Sequence, residues 1–315
     1  MVSPTASVVQ MTMFAAETRS LDMKIDSCID LDQPQCNFKS RPYAIHRYQH
    51  QLKGCLIAVF IAFLLGCTNT TQHLVAPEQP DQAITVSDLE LLWWSNDREK
   101  RGSTLHVYID GDGSPLSNGS DSVSIDPTPK YPLALALAAQ DPVHAIYVGR
   151  PCHFNVDQPL CRPQLWTSGR YGADAIRYLC EAVLLLSQRA DRKVSLIGFS
   201  GGGALAVHVA NCVEAVVNVV TVNGNLATEV WANLRGYESL SASIDPVGVG
   251  LPDRVAGRVY LVGADDGIVP PAVTQHFAAL HGGEVIGFRS FGHQCCWRDT
   301  WESITRELES RLESW

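Results

Sequence analysis

The feature that most constrains this chain is an alternation. From about residue 104 onward, short apolar runs with strand character are separated by helical patterns of about 10–20 residues. Thr104–Asp110, Ala145–Val148, Lys193–Gly198, Val216–Val222, Arg258–Val262 and Glu284–Phe288 read as strands. Tyr131–Gln140, Tyr171–Ala190, Gly202–Cys212, Pro271–Leu280 and Trp297–Arg311 read as helices. Strands that alternate with helices pair in parallel through right-handed crossovers. The predicted architecture is therefore α/β: a doubly wound, mostly parallel sheet with helices on both faces. In such sheets the ligand site lies beyond the carboxyl ends of the strands, so chemistry is to be sought in the residues that follow each strand.

The informative turn follows the third of these strands. Gly198-Phe199-Ser200-Gly201-Gly202 stands between an apolar strand and a helix. Small residues on both sides of the serine allow a sharp, strained turn that lifts its hydroxyl above the sheet. The pattern is neither a Gly-x-Gly-x-x-Gly dinucleotide turn nor a phosphate loop with Gly-Lys-Ser/Thr, so Ser200 reads as a nucleophile. A serine needs a base, and the base needs an orienting carboxylate. Val262-Gly-Ala-Asp265-Asp266-Gly-Ile-Val-Pro270 follows a later strand, and Ser290-Phe-Gly-His293-Gln294 follows the last one. His293 has the required order and loop position; His276 falls within a predicted helix and His281 precedes the last strand.

These residues resemble the α/β-hydrolase superfamily over roughly residues 84–315. The resemblance implies a triad of Ser200, Asp266 and His293, the Gly-x-x-Asp-x-x-Val-Pro register selecting Asp266, with Asp265 as the alternative. It also implies an oxyanion hole formed by the amides of Gly201 and Asp112. Asp110-Gly-Asp112-Gly113 occupies the place where the family usually carries His-Gly-x-Gly, and Asp110 departs from that pattern. The run Arg150-Pro-Cys152…Cys161…Trp166-Thr-Ser-Gly-Arg170-Tyr171 is similar to a segment of exported, lipoprotein-type bacterial hydrolases of this superfamily. No metal or organic cofactor is implied.

The amino-terminal third is different in kind. Residues 1–50 show no helical or strand period and are expected to lie upstream of the true start. An apolar stretch, Cys55–Gly66, follows Arg41, Arg47 and Lys53; it has the length of a signal-peptide core and is too short to span a bilayer. Leu64-Leu65-Gly66-Cys67 resembles a bacterial lipobox, which implies acylation of Cys67. The expected organisation is a signal peptide over 51–66, a lipidated terminus and polar tether over 67–83, and a hydrolase domain over 84–315 with a short insertion at 224–257. The expected location is the bacterial cell envelope, anchored in the membrane through acylated Cys67. Thr68, next to that cysteine, resembles lipoproteins sorted to the outer membrane of Gram-negative hosts.

Of ten cysteines, six follow Cys67, and an oxidising compartment makes disulfides plausible. Six cysteines allow 15 pairings. Cys152 with Cys161 is the leading candidate; Cys180 and Cys212, each on a predicted helix, form a second. The net charge of −9 argues against a nucleic-acid partner. The leading functional reading is a serine hydrolase, acting as a monomer, that cleaves a small-molecule or lipid carboxylic ester through an acyl-enzyme. The alternatives are a prolyl-oligopeptidase-like peptidase, an envelope acyltransferase, and a non-catalytic binding lipoprotein on a hydrolase scaffold.

Overall fold

The computed structural model describes residues 79–98, 103–117 and 122–315. The expected signal segment and Cys67 lie outside the described residues. Among these residues eight strands form one sheet: β1 (Gln82–Val86), β2 (Leu89–Ser95), β3 (Thr104–Ile109), β4 (Ala145–Val148), β5 (Lys193–Phe199), β6 (Val216–Val222), β7 (Gly257–Gly263) and β8 (Glu284–Phe288), in the order β1-β2-β4-β3-β5-β6-β7-β8. β3 to β8 are parallel, while β2 runs antiparallel to both β1 and β4. The fold expected from the alternation is the one observed.

Among the described residues six helices cover the sheet: α1 (Leu133–Gln140), α2 (Ala173–Ala190), α3 (Gly201–Cys212), α4 (Thr228–Arg235), α5 (Pro271–His281) and α6 (Trp297–Arg311). Leu105, Val107 and Ile109 of β3 pack with buried residues of α2 and α3, while Tyr108 packs with α1 and α6. Alternate residues of one strand thus enter two cores, which is why the strand is apolar almost throughout rather than every second residue.

Three elements were not expected: β1, β2 and α4. β1 begins at Gln82, inside the stretch that reads as tether, and forms a hairpin with β2 across Ser87 and Asp88, both with positive φ. α4 occupies the insertion at 224–257. Among the described residues two disulfides are present: Cys152 with Cys161, in the loop after β4, and Cys180 with Cys212, joining α2 to α3.

A polar network lies within the core shared by α1 and α6. His106 Nδ1 is 2.7 Å from Asp141 Oδ2, the Tyr108 hydroxyl also bonds that oxygen, and Trp301 Nε1 donates to Tyr108 Oη at 3.0 Å. The Trp315 ring covers His106 at 4.1 Å, and its carbonyl accepts the Ser103 amide. Burying such a network is favourable only if its polar groups are satisfied and dry. Trp315→Ala should cost about 3 kcal/mol and lower Tm by roughly 6–12 °C in a circular-dichroism melt. A shift under about 2 °C would show that the ring is dispensable.

Candidate active site

The site grows out of the turn between β5 and α3. Ser200 adopts φ 52° and ψ −121°, a region that costs a non-glycine residue about 1–3 kcal/mol. Its surroundings hold it there. The Ser200 amide donates to the Val222 carbonyl at 2.9 Å, and the Ser200 carbonyl accepts from Gly203 and Asn225. α3 then passes so close to the end of β3 that a Cβ at Gly202 would overlap the Ile109 carbonyl. This contact explains the glycine run better than chain flexibility does.

The structure brings together three residues singled out in the sequence. His293 Nε2 lies 3.0 Å from Ser200 Oγ, and His293 Nδ1 lies 2.8 Å from Asp266 Oδ2. A carboxylate only accepts, so Nδ1 carries the ring proton and Nε2 faces the serine hydroxyl as acceptor. The other Asp266 oxygen accepts the Ile268 and Val269 amides at 2.8 and 2.9 Å, which fixes the carboxylate. Asp266 is buried, whereas Asp265 points to solvent. His276 is exposed on α5, and His281 Nε2 is bonded to the Val247 carbonyl.

One positioning residue was not anticipated. Asn223, at the end of β6 with φ 49°, donates to the carbonyls of Gly292 and His293 at 3.0 Å each and accepts the Gly263 amide at 2.7 Å. It ties the histidine loop to the strand that carries the acid. A lone polar residue after an apolar strand gave no stronger signal than any turn asparagine.

The loop after β3 lies over the elbow, and a Cβ at Gly111 would stand 3.1 Å from Ser200 Cβ. This brings Asp112, expected as an oxyanion donor, beside Gly201, the first residue of α3. First-turn amides have no partner within their helix and carry its positive end.

Comparison with solved structures decides the fold. VinJ superposes with a TM-score of 0.53 at 10% identity, covering 75% of this chain and 100% of that one. The esterase PF2001 of Pyrococcus furiosus gives 0.50 at 16%, covering 77% and 93%, and mouse alpha/beta hydrolase domain-containing protein 10 gives 0.50 at 15%, covering 74% and 99%. The chain has the α/β-hydrolase fold. No protein-family profile and no curated protein sequence matches it.

Within this α/β-hydrolase fold the loop after β3 carries two carboxyl groups, Asp110 and Asp112. Asp110 is buried, and its Oδ1 takes the Gly111 amide at 2.9 Å. Burial pushes its carboxyl up to about 7, against smaller opposing effects of the Gly111 and Ala134 amides and the Arg150 charge. The Asp112 carboxylate is bound by Arg150 Nη1 at 2.6 Å, Arg170 Nη1 at 2.9 Å and the Tyr171 hydroxyl at 2.7–2.8 Å. Burial alone would raise this carboxyl; the charges of Arg170 and Arg150, with the hydrogen bonds of Arg150 and Tyr171, hold it well below the usual range. Burial, reinforced by Arg150, lowers the neighbouring His153 to about 3.

The Asp110 shift has a sign that can be measured. An unfolded aspartate titrates near 3.8, so between that value and about 7 only the native state keeps the proton. The stability this supplies is complete below the unfolded value and is lost as pH rises through about 7. About three pH units correspond to roughly 4 kcal/mol. Between pH 4.5 and pH 8 about 2.5 of those units are crossed, or roughly 3.4 kcal/mol, so Asp110→Asn should gain Tm relative to wild type by roughly 7–14 °C over that range. A constant offset across that range would contradict the assignment.

Proposed function

We propose that the chain is a serine hydrolase that cleaves a carboxylic ester through an acyl-enzyme intermediate. The observation that carries the reading is the relay from Asp266 through His293 to Ser200, with contacts of 2.8 and 3.0 Å. In this reading Ser200 Oγ attacks the acyl carbonyl while His293 Nε2 takes its proton. The tetrahedral oxyanion is held by the amides of Gly201 and Asp112. Collapse expels the alcohol, protonated by His293, and leaves the acyl group on Ser200. Water then repeats the sequence and releases the acid.

The insertion at 224–257 is short, which favours an open site and a small ester over a macromolecular substrate. A prolyl-oligopeptidase-like peptidase would direct the same residues at an amide. An acyltransferase would use the same residues with an alcohol in place of water. Leu234, Tyr237 and Ile268, each about half exposed, stand near the acid loop and would suit an apolar acyl chain.

A fluorophosphonate probe on the purified full chain tests the mechanism. Labelling should vanish in Ser200→Ala and slow by at least about 100-fold in His293→Ala, and kcat should fall by about 10³–10⁴ in Asp266→Asn. An absence of labelling in folded wild-type protein would remove the reading in favour of a binding scaffold. Nitrophenyl esters of graded acyl length, set against the matching anilides and an added alcohol acceptor, separate esterase, peptidase and transferase.

The second half of the proposal is attachment to the bacterial envelope through acylated Cys67. Among the described residues no helix is long and apolar enough to cross a membrane. Expressed in a bacterial host, the chain should take up an alkynyl fatty acid and partition with membranes, and Cys67→Ser should abolish both. Equal labelling of the two proteins would exclude the lipid anchor.

A further inference from the structure

The Asp112 side chain poses an electrostatic problem. A Cβ at Gly201 would overlap Asp112 Oδ1 and stand 2.5 Å from Tyr171 Oη. A formal negative charge therefore lies against the residue whose amide is to stabilise a developing oxyanion. Left bare in a poorly solvated site, that charge would oppose the transition state.

Three side chains from two other loops surround it. Arg150, only 2% exposed, follows β4 and pairs with one carboxylate oxygen. Arg170, just before α2, pairs with the other, and Tyr171 donates to the same group. The three are themselves fixed. Arg150 Nη2 donates to the Arg170 carbonyl at 3.0 Å, and its guanidinium lies 5.6 Å from the Tyr171 ring centre. Arg170 Nε donates to the Thr167 carbonyl at 2.7 Å. The Tyr171 amide donates to Ser243 Oγ at 3.1 Å. Two cations face one anion, so the cluster carries a net positive charge beside the first turn of α3. Arg150 is too buried to meet a substrate, and its direct ion pair is with Asp112.

Resting on the serine-hydrolase reading, we propose that Arg150, Arg170 and Tyr171 are positioning residues that mount the oxyanion hole. They cancel the Asp112 carboxylate, reverse the sign of the local charge, and hold the Asp112 backbone over the elbow.

The proposal makes a specific demand on a double-mutant cycle in the full chain. Arg150→Gln uncovers the Asp112 charge and should lower kcat on a short-chain nitrophenyl ester by roughly 10–100-fold, with KM changed less than about 3-fold. Affinity for a trifluoromethyl ketone, whose serine adduct carries the oxyanion, should fall by a similar factor. Adding Asp112→Asn removes the uncovered charge, so the double variant should recover at least about 10-fold over Arg150→Gln. Arg150→Lys should retain more activity than Arg150→Gln. If Arg150→Gln does not fold, Tyr171→Phe enters the same cycle with a smaller loss and the same rescue. Losses that multiply, or a loss confined to KM, would overturn the proposal while wild-type activity leaves the parent reading intact. A wild-type chain inert to both fluorophosphonate and esters would overturn the two together.

Discussion

The structure depends on how closely one helix approaches the sheet. α3 packs against the ends of β3 and β5 at a separation only glycine permits, and Ser200 takes up the strain as left-handed backbone. Everything at the site is referred to that contact. The loop after β3 lies over the serine, and the first residue of α3 stands against the Asp112 side chain of that loop. The strain is offset by backbone hydrogen bonds to Val222, Gly203 and Asn225, so the turn is held by the sheet rather than by the chemistry it presents.

Around this contact the charges are arranged with opposite outcomes. Asp110 and Asp112 are two positions apart and both withdrawn from water, yet burial raises one carboxyl toward neutrality while two arginines and a tyrosine keep the other ionised. The difference lies in partners. Asp110 has the neutral amides of Gly111 and Ala134 and the more remote Arg150 charge; Asp112 has direct contacts to two guanidinium groups. The general rule that a buried carboxylate stays ionised only when paired is visible here in two residues of one loop.

The sheet and the catalytic candidates were legible because their signals are local. Apolar runs between helical patterns set β3 to β8, and five consecutive residues define the elbow. The Gly-x-x-Asp register separates Asp266 from an adjacent twin that the structure leaves in solvent. What stayed hidden is non-local or lacks its usual residues. The β1–β2 turn uses Ser87 and Asp88 at positive φ without a glycine, and β2 is apolar at consecutive positions, so neither turn nor alternation announced the hairpin. α4 is only eight residues long. The partners of Asp112 lie 38, 58 and 59 positions away, so the sequence singled out their segment without assigning it a role.

β6 separates the strand that carries Ser200 from the strand that carries Asp266. Neighbouring strands stand about 4.8 Å apart, so the two side chains are offered from positions roughly 10 Å apart. One imidazole with a hydrogen bond at each end bridges that gap, and Asn223 at the tip of the intervening strand steadies the loop that supplies it. The distance is set by the pitch of the backbone lattice and not by the side chains it serves. Repacking in either core can therefore leave the relay in tune. A two-residue slip of β7 along β6 would carry Asp266 about 6.6 Å out of range while costing few hydrogen bonds. In this architecture register, more than stability, is the tolerance to which the Ser200–His293–Asp266 relay is built.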